Sequence, residues 1–175
     1  MTGRKPHIIG FAGYSGSGKT TLAVQVVDRI SRHGLKVAVV KHDGHGHYRE
    51  SEGTDSARYA ATGAEAVIVA GPGYSYKYEK TGGGAGLGNA LAGLDGFDLI
   101  VVEGFKKEPI PKLVLMRTEE QVRDGSLIDD HTVALVLKKI GDGTYPAAGE
   151  RNIPVLDIDD PDGVAAFVLR RFSYI

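Results

Sequence analysis

The chain has 175 residues, 42% of them hydrophobic and 25% charged, and its formal charge at pH 7 is −1. This is the composition of an ordinary globular protein; the charge gives no basic surplus for general nucleic-acid binding, and the absence of cysteine excludes disulfides and thiolate-held metal centres. We expect one domain spanning residues 1–175, soluble and cytoplasmic, because the first residues lack a signal-peptide run and no apolar run approaches the roughly 18 residues of a membrane span.

The first third of the chain has the pattern of a strand, a loop, a helix and a second strand. An apolar run over residues 7–12 predicts a short strand that ends in glycines. Apolar residues at helical spacing over 20–33 predict an amphipathic helix that ends at Gly34. The next run, 35–40, is continuously apolar, which is typical of a parallel strand buried on both faces.

A phosphate-binding motif lies between the first strand and the first helix. Residues 13–20, GYSGSGKT, match G-x-x-x-x-G-K-[ST] at every fixed position. In such a loop the backbone N–H groups point at phosphate oxygens, and the helix that follows adds its positive end. We expect Lys19 to neutralise phosphate charge and Thr20 to offer its hydroxyl to Mg²⁺. The predicted nucleotide-binding residues here are Gly13, Ser15, Gly16, Ser17, Gly18, Lys19, Thr20 and Thr21.

The stretch KHDGHGHYRESEGTDS, residues 41–56, follows the second strand. Ligands of α/β sheets collect outside the carboxyl ends of the strands, so Lys41, His42 and Asp43 are expected to face the phosphates. Three interpretations stay open: a switch-like loop that orders on nucleotide binding, a solvated loop, or a transition-metal site. The ligands of that metal site would be His42, His45 and His47 with one acid.

The middle of the chain predicts a helix over 55–62 with Thr54 as its cap, a strand over 64–70, and a half-exposed strand after a Gly-Pro-Gly turn. This last strand alternates tyrosines with polar residues. We interpret its aromatic face as an interface with a second subunit, with cover for the protein's own core as the alternative. The tyrosines are Tyr74, Tyr76 and Tyr78. The glycine-rich segment 82–88 is interpreted as a flexible loop and not as a dinucleotide fingerprint.

A second candidate for metal chemistry is the acid in FDLIVVEG, residues 97–104. An apolar strand over 98–102 would place Glu103 at the sheet edge that carries the phosphate loop, as in a Walker B strand. Its carboxylate would bind Mg²⁺ directly or through water, or hold the attacking water; the alternative is an acid that only ends a strand at the surface. The predicted metal ligands are Thr20, Asp43 and Glu103, and the predicted catalytic residues are Lys19, Asp43 and Glu103.

The rest of the chain predicts a short helix over 87–94, strands over 113–116, 133–137 and 155–158, and a closing helix over 161–171. Alternating strands and helices indicate an α/β fold. We predict a P-loop NTPase-type three-layer sandwich with a mostly parallel central sheet.

Four segments together resemble one family. GYSGSGKTTL, VVKHDGHG, GTDSARYAATGAEAVIVAG and DLIVVEGFKKEPIPKLVLMR, within residues 7–117, are similar in order and spacing to the molybdopterin-guanine dinucleotide biosynthesis protein B (MobB) family. The resemblance implies a homodimeric GTP-binding protein with weak GTPase activity that assists a guanylyltransferase partner in attaching GMP to molybdopterin. It also places Asp43, Asp55, Arg58 and Lys106 in the family's characteristic segments, as further nucleotide-site residues.

The sequence itself does not select GTP over ATP. A guanine pocket commonly uses N-K-x-D after a strand, but no Asn precedes Lys138, and Asp142 lies a residue or more too far along for that spacing. Asp142 stays open as a candidate that reads the base. The preference for GTP therefore rests on the resemblance. Two other functions compete: a small-molecule kinase with Glu103 or Asp43 as base, disfavoured by scattered arginines, and an interaction module with a vestigial loop, disfavoured by the intact Gly-Lys-Thr. We expect neither a nucleic-acid nor a membrane partner.

Overall fold

The computed structural model describes residues 5–44, 46, 51–82, 86–138 and 151–175. The chain divides into two compact units, Met1–His42 with Leu91–Ile175 and Asp43–Ala90; the single-domain organisation stays a prediction. The strands are β1 (His7–Gly13), β2 (Val37–Lys41), β3 (Ala66–Gly71), β4 (Tyr74–Glu79), β5 (Leu99–Glu103), β6 (Lys112–Met116), β7 (Thr132–Leu137) and β8 (Val155–Asp157). The helices are α1 (Lys19–Arg32), α2 (Asp55–Ala60), α3 (Leu87–Leu91), α4 (Glu119–Asp124) and α5 (Pro161–Arg171).

The first unit is built on a six-stranded sheet with the order β2-β5-β1-β6-β7-β8. Every pair of neighbours in this sheet is parallel. The strands therefore all end at one edge, and Glu103 is in register with Phe11 on one side and Lys41 on the other. The predicted α/β sandwich with a mostly parallel central sheet is confirmed. This register places the ends of β1, β2 and β5 side by side at the carboxyl edge of the sheet.

Alternate residues of the central strands pack into two hydrophobic clusters. Phe11, Val101 and Leu113 belong to a cluster that also contains Val26 of α1 and Val168 of α5. Residues of the opposite parity, with α4, form a second cluster: Ala12, Val114, Met116, Val122, Leu135 and Leu137. Burial on both faces explains why these strands are continuously apolar in sequence.

The second unit contains an antiparallel hairpin of β3 and β4. The turn at Gly71–Gly73 is too short for a parallel crossover, so the strand predicted over 64–70 pairs antiparallel with the tyrosine strand. Neither strand extends the main sheet. Tyr76 and Tyr78 lie opposite Val69 and Val67 on the half-buried face. Thr54 caps α2 as predicted, since its Oγ1 accepts a 3.2 Å hydrogen bond from the Ala57 amide.

Most predicted elements are present with ends shifted by one to three residues, and the closing helix over 161–171 has its predicted bounds. Helix α4 was not predicted, because its six residues bury a single side chain, Val122, and give no apolar stripe. Among the residues the structure describes, no helix has the length and apolar character that a membrane crossing needs.

Candidate functional site

The phosphate loop joins β1 to α1 at the carboxyl edge of the sheet. Gly18 begins the helix with φ 92° and makes no side-chain cap, and the first turn of α1 contains no acid. A left-handed φ of this kind favours glycine. The first amides of α1 are thus not satisfied by a side-chain cap, and together with the helix dipole they suit an anion.

Two side chains of the phosphate loop, those of Lys19 and Ser17, have hydrogen-bonding arrangements that a bound anion would change. The ammonium of Lys19 donates a 2.7 Å hydrogen bond to the carbonyl of Tyr14 and so lies across the loop. The hydroxyl of Ser17 is buried and has no hydrogen-bond partner within the described part of the chain. A buried hydroxyl without a partner is costly, and an anion's oxygen would satisfy it.

A short hydrogen bond joins the loop to β5. Thr20 Oγ1 donates a 2.5 Å hydrogen bond to Glu103 Oε1. Lys41, at the end of β2, places its ammonium 3.3 Å from the same hydroxyl and 3.4 Å from the same carboxylate oxygen. Glu103 is only 8% exposed, so the interpretation of this acid as a mere surface strand end is wrong.

These oxygens fit the metal that the motif implies. A hydroxyl and a carboxylate are hard ligands of the kind that Mg²⁺ takes beside phosphate oxygens and water. The Lys41 ammonium beside them shows that this corner of the site accommodates a cation. Among the described residues, no group of three or more His, Cys, Asp and Glu is placed to hold a metal ion.

The cations near Lys19 alter its acidity. Burial lowers the pKa of Lys19; the charge of Glu103 opposes this effect, and the positive charges of Lys106 and Lys41 add to it. Lys106 lies next to the loop as well, with its ammonium 5.9 Å from the centre of the Tyr14 ring. Four charged side chains therefore converge on the loop: Lys19, Lys41, Lys106 and Glu103.

The backbone after Glu103 has an unusual conformation. Gly104 has φ 89°, and a Cβ at this position would come 2.8 Å from the Cβ of His42. Phe105 follows with φ 46°, which is rare for a bulky residue. Its ring lies 4.5 Å from the His42 ring. The predicted site residue His42 thus contacts the segment that follows Glu103.

Two further contacts hold the phosphate loop in place. The guanidinium of Arg117, directly after β6, donates a 2.9 Å hydrogen bond to the carbonyl of Gly16. The hydroxyl of Tyr14 donates a 2.7 Å hydrogen bond to Asp124 at the end of α4. Hydrogen bonds from Ser126 and Tyr14 keep the pKa of Asp124 below its ordinary value.

A cleft of about 500 Å³ opens beside the loop, toward β7 and β8. Its walls come from the start of α1 and from the residues that follow the last three strands of the sheet: Ser17, Thr21, Arg117, Lys138, Ile158 and Asp159. This volume falls within the ~300–1,000 Å³ of small-molecule sites.

The remaining predicted residues lie in the second unit. Asp43 is exposed, and its carbonyl accepts a hydrogen bond from the Gly46 amide. Asp55 and Arg58 pair with each other across one turn of α2, with 3.4 Å between Oδ1 and Nη1. His45, His47 and Asp142 lie outside the described residues, so the metal-site interpretation of the histidine loop and the role of Asp142 stay predictions.

Sequence reasoning missed the residues that brace the loop and line the cleft. Arg117, Lys138 and Asp159 carried a signal, since each directly follows a predicted strand and thus stands at the functional edge. The contact of Tyr14 with Asp124 carried none, because Asp124 belongs to helix α4, which the sequence pattern did not predict.

Known proteins share this architecture. The family model for molybdopterin guanine dinucleotide synthesis protein B, MobB, matches residues 8–138. A molybdopterin-guanine dinucleotide biosynthesis adapter protein of Haemophilus influenzae is 33% identical over 163 residues, which are 92% of this chain and 86% of the relative. The crystal structure of Bacillus subtilis MobB is 28% identical with a TM-score of 0.76, covering 94% and 96% of the two chains. A MobB homologue from Bacillus stearothermophilus is 26% identical with a TM-score of 0.71, covering 96% and 99%.

Proposed function

The chain belongs to the MobB family, and we propose that it is a GTP-binding adapter with weak GTPase activity in molybdopterin guanine dinucleotide synthesis. It would assist a guanylyltransferase partner that attaches GMP to molybdopterin. The observation that carries the proposal is the contact of Thr20 with Glu103 beside an uncapped helix start. Relatives named as adapters of this synthesis support the pathway.

The residues of the phosphate loop have different roles in binding the nucleotide. The amides from Gly16 to Thr21 would hold the phosphates, and Lys19 would leave the Tyr14 carbonyl to contact them. Mg²⁺, when bound at Thr20 and Glu103, would neutralise the charge between the terminal phosphates. Lys41 and Lys106 would add positive charge at the same end.

Hydrolysis would be slow for a structural reason. Arg117 donates to the Gly16 carbonyl and so braces the loop, whereas an arginine that contacts the transferred phosphate can contribute ~10³-fold or more in rate. The cations facing the phosphates would be lysines. Glu103, held by Thr20 and Lys41, would serve the metal or its water.

Three further residues belong to the proposal. We assign Asp43 to the metal because it follows β2 at the carboxyl end of that strand. We assign Asp55 and Arg58 to the nucleotide because the family resemblance implies them.

A homodimer fits the hairpin of the second unit. In the described residues, β3 and β4 pair only with each other, so each strand keeps one ladder edge without a neighbouring strand. Such edges favour addition of another chain. Tyr74, on the tyrosine face, remains 67% exposed.

Isothermal titration with GTP, with and without Mg²⁺, tests the proposed site. We expect Mg²⁺ to strengthen binding to the native chain, Thr20→Val to remove about tenfold or more of that gain, and Thr20→Ser to keep most of it. Glu103→Gln should also weaken the magnesium effect while it leaves magnesium-free binding intact. Binding that ignores Mg²⁺ in the native chain would contradict the proposal.

Turnover and the partner need separate assays. Phosphate release from GTP should be slow, and addition of the native chain, but not of Lys19→Ala, should stimulate a molybdopterin guanylyltransferase. Rapid transfer of phosphate to a metabolite hydroxyl would instead indicate a small-molecule kinase.

A further inference from the structure

The cleft beside the phosphate loop has an arrangement that the phosphate site does not use. It continues from Ser17 and Gly18 along the first turns of α1 to the ends of β7 and β8. Its exposed apolar surface comes partly from the half-buried Ile158, and the nearly buried Met116 and Leu22 lie beneath the cleft. The Ile158 side chain reaches Gly18, where an added Cβ would lie 3.5 Å from Cδ1. A flat ring attached to phosphates in the loop would have an apolar surface to rest on.

Two charged side chains stand at the far end of this cleft. β7 and β8 run parallel, with Leu137 opposite Asp157, so the residues that follow them emerge together. Lys138 Nζ lies 3.4 Å from Asp159 Oδ2. The turn that carries Asp159 is fixed, because its amide donates a 2.9 Å hydrogen bond to the Asp157 carboxylate.

A carboxylate in this place has a defined preference among purine rings. One edge of guanine carries two adjacent donors, the ring N1–H and the amino group at C2, and the two oxygens of a carboxylate can accept both. Adenine presents a lone pair at its N1 to the same carboxylate, which is repulsive. Hypoxanthine keeps only the N1–H, and xanthine has a carbonyl at C2.

We propose that Asp159 reads the purine base in this cleft and makes the protein selective for guanine, with Lys138 keeping the carboxylate paired and covering the ring with its methylene stem. The proposal rests on the proposed function, since the base reaches the cleft only when the phosphate loop holds the triphosphate. It assigns to Asp159 the part that the motif N-K-x-D gives to its final residue, and it needs no contribution from Asp142.

The test is a set of competition titrations with GTP, ITP, XTP and ATP in the presence of Mg²⁺. Loss of one charge-assisted hydrogen bond corresponds to about tenfold or more in affinity. The native chain should therefore bind GTP at least about tenfold more tightly than ITP, XTP or ATP. Asp159→Asn should bind XTP more tightly than GTP, because an amide can donate to the C2 carbonyl. Asp159→Ala should bind GTP and ITP equally.

Asp160→Asn is the matched control. It removes the same charge one residue away, but Asp160 caps α5 through the Gly163 amide and is not part of the cleft lining. An asparagine preserves such a cap, so this variant should rank the nucleotides as the native chain does. Inorganic tripolyphosphate should bind all of these variants equally, which shows that the phosphate loop is intact.

The outcomes separate the two proposals. If Asp159→Asn keeps the native ratio of GTP to XTP affinity while tripolyphosphate still binds, Asp159 does not read the base and the inference falls alone. If neither tripolyphosphate nor any nucleotide binds the native chain, the proposed function falls as well.

Discussion

The surroundings of Lys19 disfavour its positive charge. Burial lowers its pKa, and Lys106 and Lys41 lower it further against the opposing effect of Glu103. The charge of Glu103 and the hydrogen bond to the Tyr14 carbonyl compensate this ammonium in part. A bound phosphate would supply negative charge, favour the protonated form and raise the pKa.

If the pKa of Lys19 is higher in the nucleotide complex than in the free protein, the protein takes up protons when it binds GTP. The affinity for GTP should be constant at pH values below the lowered pKa of Lys19, where the free protein is already protonated. It should fall as the pH rises through that pKa, because the proton must then be taken up with the ligand. Titration in two buffers of different ionisation enthalpy measures the uptake.

Two variants control this experiment. Lys19→Arg keeps its charge at all accessible pH values, so its affinity should lose the fall that Lys19 causes. Lys106→Met removes a neighbouring positive charge and should move the fall to higher pH, although binding is weaker throughout. An equal pH profile in Lys19→Arg would show that another group titrates.

Some residues of the site were predictable from their neighbours in sequence and others were not. Lys19, Thr20 and Glu103 stand in local patterns, a strand followed by a loop and a strand followed by an acid, and the structure brings Thr20 and Glu103 into contact. Asp159 also follows a predicted strand, but its proximity to Lys138 is visible only when β7 is known to pair with β8, because this long-range contact leaves no local signal.

Strand β6 contains a buried cation, Lys112, that contacts the segment carrying the site residue Lys106. Lys112 is 1% exposed, and its ammonium donates hydrogen bonds to Asp129 at 2.7 Å and to the carbonyl of Lys106 at 3.1 Å. It therefore ties the segment after β5 to the loop before β7. Continuous apolar patterning had indicated only the strand, which begins one residue earlier than predicted.

Breaking this pair should destabilise the fold. Asp129→Ala would leave the buried ammonium without its carboxylate, and we expect a loss of about 2–3 kcal/mol, below the ~3–5 kcal/mol of a fully buried pair because Asp129 is 41% exposed. Lys112→Met combined with Asp129→Ala should recover part of that loss. Urea unfolding measures all three.

Asp130→Ala controls for charge, since Asp130 is 97% exposed and its ion pair with Arg151 lies at the surface. The urea midpoint of this variant should match the native one.

The stabilisation by Lys112 and Asp129 also depends on pH. Burial raises the pKa of Asp129, but the hydrogen bonds from Lys112, His131 and Thr132 and the Lys112 charge outweigh this and lower it. The stabilisation should thus be present above the unfolded pKa and be lost as the pH falls through the folded pKa. Equal stability of native chain and Asp129→Ala at neutral pH would contradict this account.

At the scale of the whole molecule, the parallel order of the main sheet gathers the phosphate loop, Glu103, Lys41 and the cleft at one edge. Alternation of strands and helices predicted this fold class, because parallel strands require crossover connections. The pairing of β3 with β4 outside the main sheet was not predictable from apolar runs alone, since a strand's length and composition do not name its neighbour.

The β3–β4 hairpin leads us to expect a homodimer. Sedimentation equilibrium should give twice the chain mass of 18.6 kDa. Tyr74→Asp should raise the dissociation constant about tenfold or more, because a charge would enter an aromatic interface. Tyr59→Asp is the matched control, an equally exposed tyrosine on α2 at 65% against 67%. A monomeric native chain would overturn the dimer.

We propose that the loop between β1 and α1 holds a triphosphate against a metal at Thr20 and Glu103. A crystal grown with Mn²⁺ and a non-hydrolysable GTP analogue, with the metal located by anomalous scattering, tests this proposal. We expect phosphates on the amides of residues 16–21, the metal within about 2.2 Å of Thr20 Oγ1, and Lys19 released from the Tyr14 carbonyl. An empty loop at saturating ligand, with Lys19 still bonded to Tyr14, would contradict it.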